Sequence, residues 1–175
     1  VIGFVEDQFS NDIAGEIALT IIPGDLVTTG PNYPSWASTF FTPSEALNRH
    51  VPLYPVPGNH EADTEFFFRY FDLPMNGTAG FEEHWWSHDH GNLRIIGLDS
   101  NSGYRVPTQL AWLDEVLSEA CTDPTIDFVF AQLHHPFKSE LWIAGELDYT
   151  GDVVSRLETF STDCGKPSIH FFGHT

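Results

Sequence analysis

Positive charge is the scarcest feature of this sequence. Seven Lys and Arg stand against 25 Asp and Glu in 175 residues, a formal net charge of −18 at pH 7. Binding along a nucleic-acid duplex needs basic side chains on the phosphates, so that class of function is excluded. An anionic substrate would be repelled at long range, although salt screens that repulsion beyond about 8 Å at physiological ionic strength. Anything phosphorylated therefore needs positive charge supplied locally, and bound cations are the obvious source. Long hydrophobic runs are also missing. No stretch approaches the roughly 20 apolar residues of a membrane span. Repeats, low-complexity tracts and linker-like segments are absent too, which predicts one domain over residues 1–175. Cysteine occurs only at Cys121 and Cys164, each in a polar loop before an apolar run. These two read either as a structural disulfide of an oxidising compartment or as two unrelated thiols. With the acidic surface, they predict an extracellular or periplasmic protein, the cytoplasm remaining open. Asn76-Gly77-Thr78 is a glycosylation sequon, meaningful only in a secreted eukaryotic protein.

What is present is a core. Apolar residues make up 41% and aromatics 14%, the composition of a folded globular chain. Short apolar runs predict strands at Val1–Val5, Leu19–Ile22, Val51–Val56, Leu93–Leu98, Ile126–Leu133 and Ser168–Phe172. Ser10 or Asn11 is positioned to cap a short helix, with Ile13 and Ile17 spaced i,i+4. The clearest helix runs from Thr108 to Ala120, with Leu110, Leu113, Leu117 and Ala120 on one face. Shorter ones are expected at Glu65–Phe71, whose aromatics belong to the core, and at Asp152–Phe160. Residues 28–45 mix Gly, Pro, Ser, Thr and Trp without periodicity and read as a long loop. Strands alternating with helices make the class α/β. Both ends are abrupt: Val1 already lies in an apolar run, and the sequence reaches Thr175 at a strand-to-loop turn, which predicts a piece of a longer chain.

Polar punctuation follows five of the apolar runs: Asp7, Gly24-Asp25, Gly58-Asn59-His60-Glu61, His134 and Gly173-His174. Asp, Asn and His supply the oxygen and nitrogen ligands that suit Zn²⁺, Fe, Mn²⁺ or Co²⁺. A carboxylate such as Asp25 has two oxygens and can bridge two ions. Two such ions can activate a water and clamp a phosphoryl group under in-line attack. Each residue alone also has an ordinary reading: a turn Asp, a left-handed Asn, a satisfied core histidine. The ordered set, each member behind its own apolar run, shifts the balance. Asp99-Ser100-Asn101 also ends a strand and reads as loop structure. Trp36, Trp85, Trp86 and Trp142 either stack on a base or sugar or simply pack locally.

Gly24-Asp25, Gly58-Asn59-His60-Glu61, His134 and Gly173-His174 together resemble the ordered motifs of the calcineurin-like metallophosphoesterases, over essentially the whole chain. The resemblance implies two mixed β-sheets packed face to face with helices outside. It also implies a centre of two divalent or trivalent transition-metal ions at the strand ends. Asp25 would bridge them, Asp7 would bind the first, and Asn59, His134 and His174 would bind the second. His60 would contact the phosphoryl group or protonate the leaving oxygen, a task suited to imidazole near neutral pH. His135 would shape the pocket. The implied activity is hydrolysis of small phosphomonoesters or phosphodiesters by a metal-bound hydroxide.

Three departures from the family pattern stand out. Phe9 occupies the position of the histidine in the usual Asp-x-His motif, and the final Gly-His-x-His is present only as far as Thr175. Both of those ligands would belong to the first metal. Thr28 stands where the purple acid phosphatase branch places a tyrosine. Phe9 also keeps open a second class of function, a non-catalytic module that binds phosphorylated ligands or proteins.

Overall fold

The computed structural model describes Gln8 and residues 12–174. The expected strand Val1–Val5, the expected ligand Asp7, Phe9, the expected caps Ser10 and Asn11, and Thr175 lie outside the described residues. The first described helix, α1 (Ile13–Glu16), is capped instead by Asp12, whose carboxylate accepts the Gly15 N–H at 3.0 Å.

The chain is α/β with two sheets. In the first, β1 (Thr20–Ile22) and β2 (Leu53–Pro55) pair in parallel, Ile21 opposite Tyr54. Among the described residues this sheet is that parallel pair alone. The second sheet is mixed, in the order β3 (Trp86–His90), β4 (Leu93–Gly97), β5 (Phe128–Gln132) and β6 (Ser168–Phe171). β3 and β4 form a hairpin, and the other two pairings are parallel. Parallel neighbours require crossovers. Helix α4 (Glu65–Tyr70) follows β2, α5 (Pro107–Thr122) links β4 to β5, and α6 (Asp148–Cys164) links β5 to β6.

Alternation along the strands builds two cores, because successive side chains point to opposite faces. Ile96, Val129 and Ala131 turn toward Leu113, Leu117, Val153 and Leu157 of the two crossover helices. Ile95 and Trp86 turn the other way, onto Val56, Phe67, Phe71 and Trp36 beside the first sheet. Gln132 crosses between the sheets and donates its Nε2–H to the Tyr54 carbonyl at 2.7 Å. Trp36, Trp85 and Trp86 are fully buried, so packing accounts for all three, whereas Trp142 is half exposed.

The segment expected to be a loop at 28–45 is largely helical. It runs through α2 (Tyr33–Ser35), a π-helical stretch Trp36–Phe41 and α3 (Thr42–Asn48). Pro34 and Pro43 read as breakers, but Pro34 sits in the first turn, where a missing N–H costs little, and Pro43 directly follows the π-helical stretch. In the π-helical stretch the Thr42 N–H reaches back five residues to the Ala37 carbonyl. Hydroxyls satisfy carbonyls one turn back: Thr39 donates to Ser35 and Ser44 to Phe40. The polar composition that resembled a loop is therefore partly helix hardware. Helix α6 also begins earlier than expected, since Thr150 is buried and its hydroxyl donates to the His135 carbonyl at 2.9 Å. The two cysteines are bonded, Cys121 to Cys164, joining the ends of α5 and α6.

Candidate metal centre

The loops that leave the C-terminal ends of β1, β2, β5 and β6 converge. Gly24 and Asp25 leave β1 with φ of 84° and 56°, two successive left-handed residues. Glycine is required at the first, because a Cβ there would meet the Gly58 backbone and the His134 ring at 2.7 Å. Asp25 and His174 (φ 60°) are non-glycine residues held in the same region. Such strain costs on the order of 1 kcal/mol or more and persists only where the surroundings enforce it.

Four side chains meet at one point. His134 is fully buried, and its Nδ1–H donates to the Pro23 carbonyl at 2.8 Å. A carbonyl can only accept, so in the neutral form of this ring Nε2 is the unprotonated nitrogen and its lone pair faces inward. Facing that lone pair are Asn59 Oδ1 and His174 Nδ1, each at 2.9 Å, and Asp25 Oδ2 at 3.2 Å. The carboxylate and two imidazoles place their ligand atoms within 4.8 Å of one another. Lone pairs gathered this closely repel unless a proton or a metal cation sits among them. The donor set, one carboxylate, one amide oxygen and two imidazoles, fits a borderline divalent ion.

His60 stands beside this group. Its backbone N–H donates to Asp25 Oδ1 at 3.1 Å, and its ring Nδ1–H donates to the Thr28 carbonyl at 2.8 Å. The side chain is half exposed, and its free Nε2 lies 4.0 Å from Asp25 Oδ2. The Thr28 carbonyl favours the imidazolium and pushes the His60 pKa up, against a smaller effect of burial.

A second layer holds these residues in place. Glu61, fully buried, accepts three backbone N–H groups: Asp25 at 2.9 Å, Gly58 at 2.6 Å and Val27 at 3.1 Å. Burial pushes its carboxyl pKa up while those donors pull it back. Asn101 donates to the Pro57 carbonyl and, through the same amide, to buried Asp99. The Ser100 hydroxyl accepts the His135 N–H and pairs with His135 Nδ1, both at 2.9 Å. Burial, with the neighbouring His134, pulls the His135 pKa down to about 3, so this ring is neutral at ordinary pH.

The structure thus brings together Asp25, Asn59, His134 and His174, with His60 adjacent, while Asp7 lies outside the described residues. Sequence reasoning missed the supporting residues. Asp99-Ser100-Asn101, read as plain loop, orients His135 and the Pro57–Gly58 turn. A polar triplet straight after an apolar strand was the available signal. Glu61 was visible only as part of its motif.

A donor set of this kind, at the ends of parallel strands in a two-sheet α/β fold, is the arrangement that the metallophosphoesterase resemblance implies. The model of the family described as calcineurin-like phosphoesterase matches residues 5–175, and the chain belongs to that family. Two uncharacterized proteins of Mycobacterium tuberculosis, one from strain CDC 1551 and one from strain H37Rv, are each 26% identical to it over 163 residues. These alignments cover 75% of this chain and 31% of each relative, so the chain spans about a third of their length. A purple acid phosphatase from yellow lupin (Lupinus luteus) seeds superposes over 98% of this chain and 32% of its own, with a TM-score of 0.64 and 16% identity. At that identity the likeness is one of fold.

Proposed function

We propose that this chain carries the active site of a metal-dependent phosphoesterase that hydrolyses small phosphomonoesters or phosphodiesters. The observation that carries the reading is the convergence of Asn59, Asp25 and His174 on the inward Nε2 of His134. Asp25, Asn59, His134 and His174 would hold one ion. The second carboxylate oxygen of Asp25, with Asp7, would serve the other ion of a dinuclear centre. The ions, Fe, Mn, Zn or Co, supply positive charge for the phosphoryl oxygens and lower the pKa of a water.

The protein's own contribution is orientation and proton handling. The Pro23 carbonyl fixes the His134 tautomer, and Glu61 fixes the Asp25 backbone relative to the Gly58 turn. His60, hydrogen-bonded through Nδ1, keeps Nε2 free to donate a proton to the leaving oxygen. The protein acts in an oxidising compartment, extracellular or periplasmic, a placement that the Cys121–Cys164 bond supports.

The test is turnover of p-nitrophenyl phosphate and bis(p-nitrophenyl) phosphate before and after chelation. Activity that disappears with the metal and returns on adding it supports the proposal. Metal-loaded protein that turns over neither ester contradicts it and favours the binding-module alternative.

A further inference from the structure

Among the described residues, the cations of this acidic chain are nearly all committed. Arg49 pairs with Glu45, Arg69 with Glu65, Arg94 with Asp89 and Arg156 with Asp114. Lys138 pairs with Glu146, and Lys166 donates to the Ala120 and Asp123 carbonyls. Arg105, like Lys166, has no described carboxylate within salt-bridge distance, but unlike Lys166 it leaves its terminal nitrogens without a described partner. In a sequence with 25 acidic residues and seven basic ones, an arginine without a counter-ion is unexpected.

Its position is specific. Arg105 lies in the loop between β4 and α5, and its Nε–H donates to the Ser100 carbonyl at 2.6 Å. The hydroxyl of that same Ser100 pairs with His135, whose ring lies 4.2 Å from the His174 ring. The arginine is therefore tied to the residues that border the candidate metal centre. Its two terminal NH2 groups have no hydrogen-bond partner among the described residues. Partial burial pulls its pKa down, and the acid whose charge it feels is Asp99, already engaged by His84 and Asn101. A partly desolvated guanidinium with an open fork matches the oxygens of a phosphoryl group.

We propose that Arg105 binds the substrate, its two terminal NH2 groups donating to non-bridging oxygens of the phosphoryl group, and that it favours the dianion of a phosphomonoester over the monoanion of a diester. The proposal rests on the phosphoesterase reading and adds to it a substrate class. The added charge counts for more against two negative charges than one, and a diester offers one fewer free oxygen to the fork.

The experiment compares wild type with R105Q and R105K in the metal-loaded, full-length protein. Inorganic phosphate binding is measured by titration calorimetry, and kcat/KM is measured on p-nitrophenyl phosphate and its bis ester, with metal content as control. In R105Q, loss of a charge-assisted fork predicts phosphate affinity and monoester kcat/KM lower by about 10- to 100-fold. The expected diester loss is severalfold smaller, with metal content unchanged. Unaltered phosphate affinity, or equal losses on both esters, overturns the assignment while wild-type turnover leaves the phosphoesterase reading standing. A wild type that neither binds phosphate nor hydrolyses either ester overturns both. Should R105Q fold poorly, R105K decides, since it keeps the charge without the fork: a reduced monoester-to-diester ratio supports the proposal, and the wild-type ratio overturns it.

Discussion

The buried carboxylate of Glu61 accepts the backbone N–H of Asp25 at 2.9 Å, across 36 positions of sequence. The same oxygen accepts the Gly58 N–H, and its partner oxygen accepts that of Val27. One side chain thereby locks the loop after β1 to the loop after β2, and Asp25 takes its strained conformation inside that lock.

Glu61→Gln tests the lock. An amide cannot accept at both ends, so at least one buried N–H loses its partner. The expected cost is about 1–3 kcal/mol of stability, read as a lower melting temperature, together with weaker metal retention. A variant with wild-type melting and wild-type metal content would show that the three hydrogen bonds are dispensable.

His60 sits beside the ligands without joining them. His60→Ala is expected to leave metal content intact and to lower kcat by about 100-fold or more, the ordinary reach of general acid catalysis. The loss should be largest for esters with poor leaving alcohols, which depend most on a proton donor. Elemental analysis alongside kinetics checks this, and loss of metal from the variant would assign His60 to the ligand set instead.

The Cys121–Cys164 bond closes a loop of 43 residues that runs from the end of α5 through β5 to the end of α6. Chain-entropy arguments give such a loop about 4 kcal/mol. Replacing both cysteines with serine should lower the melting temperature markedly while leaving the metal ligands in place. Alkylation and intact mass of the unreduced protein should detect no free thiol; two alkylated thiols would contradict the bond.

Much of this was legible in the sequence for a physical reason. Buried strands such as Leu93–Gly97 are short, mostly apolar runs, and the residues after them must be polar where they turn out of the core, so strand ends and candidate ligands announce themselves together. β3 escaped because Trp86-Ser-His-Asp-His90 is an edge strand paired on one side only, with a single fully buried side chain. Its signal was Gly91 at φ 60°, leading a two-residue hairpin turn. The helical turns of 33–48 escaped because serine and threonine hydroxyls bond to carbonyls one turn back, a role that composition does not distinguish from loop. The cysteine pairing was open because it depends on how α5 packs against α6. Glu61 and Ser100 act through backbone groups distant in sequence, which no local pattern records.

The central claim is that Asp25, Asn59, His134 and His174 hold a metal on which phosphoester hydrolysis depends. The most direct measurement titrates Mn²⁺ or Zn²⁺ into chelator-stripped, full-length wild type and Asp25→Asn while following turnover of a chromogenic phosphoester and bound metal together. The account predicts that wild-type activity rises with bound metal to saturation, and that Asp25→Asn binds less metal and stays inactive. Full activity in stripped protein, or in Asp25→Asn, would contradict it.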